Sequence, residues 1–166
     1  MLRWLVFTAM TTSLAGAAQA DEGAFLKSLQ GSWTGAGTVR IRTHMSPINV
    51  SCNFDSQSQG LALSMEGVCR GLILISKSID AQLKFSGTKY SGSYLGPRGG
   101  RAGLSGSRRG DAINLTIRWA KEVNGDRSAD LTLQKVGANG MRLTTIDVDP
   151  ESGDRVVTSE INLHRK

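Results

Sequence analysis

Cysteine, histidine, proline and aromatic residues are all scarce in this chain: 2 Cys, 2 His and 3 Pro in 166 residues, with 5% aromatics. There is no Cys-x-x-Cys, which removes the common zinc and redox motifs. With only His44 and His164 besides, no metal site is predicted. No Gly-x-Ser-x-Gly elbow marks a hydrolase nucleophile. No Gly-Lys-Ser/Thr opens a helix, and no βαβ unit carries a dinucleotide fingerprint. No spacing singles out a carboxylate pair for glycoside hydrolysis. The chain therefore reads as a non-enzyme, and a Ser-His-Asp set is the hydrolytic alternative that counting leaves open. After the N-terminus no run approaches ~20 apolar residues, so no transmembrane segment is predicted in the mature chain.

The N-terminus is "MLRWLVFTAMTTSLAGAAQADEG". Arg3 gives a short positive region, Leu5 to Ala18 an apolar run, and Ala18-Gln19-Ala20 an A-x-A cleavage site. This is the pattern of a secretory signal peptide over 1–20. No cysteine follows the cleavage site, so a lipoprotein anchor is not expected. Cleavage leaves 146 residues, 21–166, one domain with a real core. The expected destination is the periplasm or the exterior. In an oxidising compartment Cys52 and Cys69 are expected to pair. The formal charge of +6, of which Arg3 supplies one, favours anionic partners such as lipid headgroups or acidic polysaccharide. Nucleic acid is scarce outside the cytoplasm and is not an expected partner.

Phe25, Leu26 and Leu29 lie at helical spacing and predict a short helix over 22–30, ended by Gly31. Period-two patterns follow. Strands are expected over 34–42, 48–55, 61–69, 72–76, 79–86, 89–95, 102–107, 112–119, 128–136, 140–148 and 155–165. Asn124-Gly125 and Asn139-Gly140 are the strongest hairpin signals. In "INLTIRWA" Ile113, Leu115, Ile117 and Trp119 share one face. Short, evenly spaced, half-buried strands predict an all-β antiparallel sandwich or barrel.

"FLKSLQGSWTGAGTV" adds a resemblance. The helix followed by Gly31-Ser32-Trp33-Thr34-Gly35-Ala36-Gly37 resembles the GxWxGxG opening of calycins, closest to the nitrobindin-like group. The resemblance rests on about a dozen N-terminal residues and a few at the C-terminus. It implies an antiparallel up-and-down β-barrel of about 8–10 strands with a short N-terminal helix and an internal cavity. It also implies that Trp33 closes one barrel end against a late arginine, here Arg165. Nitrobindin-like barrels bind haem through a late-strand histidine. His164 sits nearer the C-terminus than that ligand and points outward by alternation, so haem and other cofactors are not expected.

"YSGSYLGPRGGRAGLSGSRRG" (90–110) lies in a span without acids from Asp80 to Asp111. Its simplest reading is the turns of twisted hairpins. Its functional reading is an anion-binding rim, with Arg98 and Arg101 in one turn and Arg108 and Arg109 in the next. "DVDPESGD" (147–154) departs from EF-hand order and reads as a turn. The expected ligand is small and apolar or amphipathic, with Trp33, Phe85, Tyr90, Tyr94 and Trp119 as lining residues. The alternative is an envelope interaction protein with a packed barrel and a basic face.

Overall fold

The computed structural model describes residues 15–71, 75–96 and 100–166. One helix, α1 (Ala15–Ser28), precedes ten strands. They are β1 (Gly31–Val39), β2 (Ile48–Gln59), β3 (Ala62–Gly71), β4 (Ile75–Ser86) and β5 (Lys89–Leu95), then β6 (Arg101–Arg109), β7 (Ala112–Val123), β8 (Asp126–Val136), β9 (Gly140–Val148) and β10 (Arg155–Arg165). Each strand pairs antiparallel with its chain neighbours, and β1 pairs with β10 to close the barrel. The expected all-β up-and-down barrel with a short helix is present.

Three of the differences from the expected boundaries bear on the reading. Residues 75–76 and 79–86 belong to one strand, β4, because Ser76, Lys77 and Ser78 hold register against Arg70, Cys69 and Val68, while 72–74 of the expected strand lie outside the described residues. β1 ends at Val39, so Arg40 and Arg42 lie in the following loop. The helix begins at Ala15 rather than 22 and runs through Ala18-Gln19-Ala20. Of the expected signal peptide, residues 1–14 lie outside the described residues.

The barrel interior is built by alternation. Ile113, Leu115 and Ile117 of β7 are buried while Asn114 and Arg118 are exposed. The Gly-x-Gly of β1 has a packing reason. A Cβ on Gly35 would lie 2.0 Å from the Asn162 carbonyl oxygen, and one on Gly37 1.9 Å from that of Glu160. Only glycine lets β1 come this close to β10 at the closure seam. Cys52 and Cys69 are direct partners across β2 and β3 and form a disulfide. Both side chains are buried in the core.

Candidate functional site

An up-and-down barrel puts successive turns at alternate ends. The turns after β2, β4, β6 and β8 share one end with α1, the start of β1 and the end of β10. The turns after β1, β3, β5, β7 and β9 share the other. The two ends are chemically different.

The α1 end is sealed. Leu26, Leu29 and Trp33 have no exposed surface, and Phe85, Tyr90 and Ile113 are buried beside them. Trp33 Nε1 donates to the Leu29 carbonyl at 3.1 Å. The Arg165 guanidinium lies 4.4 Å from the centre of the Trp33 ring and donates to the Ser28 carbonyl at 3.0 Å. It also donates to the Gln30 carbonyl. The expected Trp33–Arg165 contact is therefore made. It ties the helix C-terminus to the last strand and satisfies carbonyls that the helix leaves orphaned.

A second clamp holds the front of the helix. Arg108 Nε donates to Glu22 Oε1 at 3.0 Å, and its Nη2 donates to Asp21. The Tyr90 hydroxyl donates to the other Glu22 oxygen. The Arg108 guanidinium also sits 4.6 Å from the Phe25 ring centre. Burial, then the hydrogen bond to Glu22, pushes the Tyr90 phenol pKa above its usual value. The folded state thus keeps this proton at pH values where the unfolded chain, with an ordinary tyrosine near 10, has lost it. Stability from this site is complete below about pH 10 and falls as pH rises further. Tyr90→Phe should flatten that alkaline loss, read as the change in denaturant midpoint between pH 9 and pH 11. Equal losses in both proteins would refute the assignment. Glu22→Gln keeps the shape and removes the charge. It should cost about 1–3 kcal/mol in chemical denaturation, as the exposed Asp21 is then the one carboxylate left to Arg108 among the described residues.

The far end is built differently. Below it, in the middle of the barrel, lies an apolar cavity of about 70 Å³, lined by Leu104, Leu115, Leu131 and Leu143 among others. Tyr94 borders it, and Thr145 and Ser159 add two hydroxyls. The Tyr94 and Trp119 rings stand 5.8 Å apart at 59°. Nearer the mouth on the inward face of β9 is Asp147, 4% exposed. Its Oδ2 accepts from Thr158, while its Oδ1 has no hydrogen-bond partner. Trp119 Nε1 is likewise buried without a partner. The loop after β1 exposes Ile41 and Met45, and Leu95 is exposed on the opposite side of the mouth.

This mouth has an acid-sensitive clip. Thr43 is buried. Its hydrogen bond, followed by the turn amide of Ser152, holds the Asp149 carboxyl at about 2. Asp149 Oδ1 accepts from Ser152 N at 2.9 Å and Glu151 N at 3.0 Å, so "DVDPESGD" is the turn that the sequence indicates. A depressed carboxyl contributes above its unfolded value near 3.9 and is lost as pH falls through the folded one. Amide protection at 40–46, the exchange rate relative to the intrinsic rate at the same pH, should therefore fall between about pH 4 and pH 2. Unchanged protection would refute the clip.

The sequence-predicted site residues are dispersed. Trp33, Phe85 and Tyr90 fill the sealed end and do not line the cavity, whereas Tyr94 does; Trp119 packs against the Tyr94 ring and is not part of the lining. The shared arginine rim is corrected. Arg101 starts β6 and Arg109 ends it, so they occupy opposite ends of the barrel. Arg108 has inward parity with Ala102 and Leu104 and is spent on Glu22 and Asp21. Arg101 donates to Ser93 Oγ at 2.9 Å on the outer surface. Arg98 lies outside the described residues. His44 and His164 are both exposed. The aliphatic lining and Asp147 were missed. The signal for Asp147 was an acid at an inward position in the series Met141, Leu143, Thr145, Asp147.

No family model matches the chain, and no curated protein matches it. Among solved structures it is similar to the crystal structure of Rv2717c from M. tuberculosis, at 18% identity and a TM-score of 0.66. The match covers 93% of this chain and 99% of that one. At that identity the likeness is one of fold.

Proposed function

We propose that this chain is an exported binding protein that admits a small apolar or amphipathic ligand through the barrel end opposite α1. The observation that carries this reading is the apolar cavity of about 70 Å³ that Tyr94 borders, with Trp119 packed against that ring. Its size limits the ligand. Sites for drug-sized molecules run to ~300–1,000 Å³, and an engineered cavity that holds benzene is ~150 Å³. Only a short apolar group enters the barrel as it stands, and the rest of the ligand lies in the mouth. Exposed Ile41 and Met45 of the loop after β1 give that end apolar surface. The A-x-A leader and the Cys52–Cys69 disulfide support export.

The same small volume favours a second reading, a packed barrel that acts through its surface. Lys84, Lys89, Arg101 and Arg109 are exposed on a span that has no acid between Asp80 and Asp111. That face suits anionic lipid or polysaccharide. Methyl NMR of the mature protein titrated with n-butanol separates the two. Saturable shifts at Leu104, Leu115 and Leu143 are expected for the binding protein. Shifts without saturation, together with salt-dependent binding to anionic vesicles, would favour the surface reading.

A further inference from the structure

Beyond the lining of the cavity, toward the mouth, lies a polar group that the apolar-ligand reading does not use. Asp147 is buried on the inward face of β9, and no cation pairs with it among the described residues. One of its oxygens accepts from Thr158 and the other from nothing. A buried carboxyl in that state is costly, because desolvation is uncompensated unless a donor or a cation arrives.

Register places this carboxyl on the same interior wall as the aromatic pair, two strands from Trp119 and four from Tyr94. Tyr94 pairs with Ala102 on β6. Gly103 pairs with Arg118 on β7, which sets Ala102 beside Trp119. One row deeper, Leu104 pairs with Ile117 and Ile117 with Ala129 on β8. Asp130 pairs with Ile146, which sets Ala129 beside Asp147. Two strand spacings, about 10 Å between backbones, thus separate Asp147 from Ile117, with only an alanine between them. Trp119 is the next inward residue above Ile117. The two alanines, Ala102 and Ala129, leave the space that larger residues would fill. Asp147 is itself about 7 Å along β9 from Thr145, which lines the cavity.

An acceptor without a partner, two aromatic rings and an apolar well are the parts that recognise an organic ammonium. The carboxyl takes N–H donors, the ring faces attract the positive charge, and the well takes the alkyl chain. We propose that the mouth of this barrel is an ammonium site, with Asp147 as the counter-charge, Tyr94 and Trp119 as the aromatic walls and the cavity as the alkyl pocket. The ligand class is a small alkyl amine in its cationic form. This deepens the binding-protein reading and rests on it. It also moves the polar head of the ligand from an arginine rim to a carboxyl, and so reverses the charge that the ligand carries.

The probes are n-butylamine, n-butanol and n-butyrate at pH 7, followed by methyl NMR of the mature protein. n-Butylamine is expected to saturate the Leu115 and Leu143 shifts at about tenfold lower concentration than n-butanol, and n-butyrate to bind worst. Asp147→Asn should bring amine and alcohol within about twofold of each other while alcohol binding persists. Trp119→Leu keeps the carboxyl and should cut the amine preference by about fivefold, which tests the site even if Asp147→Asn does not fold. An amine that binds no better than the alcohol overturns the ammonium site and leaves the binding-protein reading standing. A preference that survives Asp147→Asn overturns it as well. Failure of all three probes to saturate overturns both.

Discussion

Trp33→Ala is expected to cost about 3–5 kcal/mol, the usual range for truncating a fully buried tryptophan. At 2–4 °C per kcal/mol for a chain of this size, Tm should fall by roughly 10–15 °C. Trp33 has no exposed surface, and it joins three elements. Its indole donates to the Leu29 carbonyl of the α1 segment, and its ring carries the Arg165 guanidinium of β10. The cost is therefore a cavity plus the release of the helix that plugs the barrel. Trp33→Phe keeps an apolar ring and loses the indole donor, so it should retain most of the stability. A Tm within about 3 °C of the wild type for Trp33→Ala would show that the α1 end is not held this way.

Removing the disulfide has the second large effect. Cys52→Ala with Cys69→Ala opens a link across a sequence separation of 17. The chain-entropy treatment gives roughly 3 kcal/mol for a loop of that length. Both sulfurs are buried, so two small voids add to the loss. Tm should fall by roughly 10 °C, measured against the oxidised parent in the same buffer. An unchanged Tm would mean that β2 and β3 keep their register without the bond, and would make it a passive marker of compartment.

The fold was legible wherever backbone chemistry is local. Asn124 and Gly125 have φ of 57° and 91°, the two positive angles that a tight hairpin needs, and Asn-Gly announces them. Asn139-Gly140 was less informative. That turn is made at Gly137, with φ 60°, and Gly140 already belongs to β9. The break placed between 76 and 79 came from two serines and a lysine. In a closed barrel such residues can stay in register while their side chains reach solvent near an end. Alternation assigned interior and exterior faces correctly along β7 and β10, and with them the exposure of His164.

The site was less legible, because it depends on which end of the barrel each turn occupies. Arginine density over 90–110 reads as one patch in a linear sequence, whereas β6 carries its two ends the length of the barrel apart. Arg108 looked like a surface cation, since nothing local shows that Glu22, 86 positions away, takes its charge. Aromatics drew attention as lining residues because they are few. The seal needs large rigid side chains and takes Trp33, Phe85 and Tyr90, and aliphatic residues are left to shape the cavity. Asp147 was visible as an acid beside a turn. Asp149, two positions on, would share its parity, and only the end of β9 at Val148 puts Asp149 in the turn and leaves Asp147 inside.

The central claim is that the two barrel ends differ, one sealed by α1 and the other opening on apolar space. Methyl NMR of the mature protein under xenon pressure measures this directly, because xenon enters dry apolar cavities and needs no polar partner. The expected result is a saturable shift of the Leu104, Leu115, Leu131 and Leu143 methyls, with Leu26, Leu29 and Ile113 at the sealed end unmoved. Equal shifts at both ends, or none at either, would contradict it.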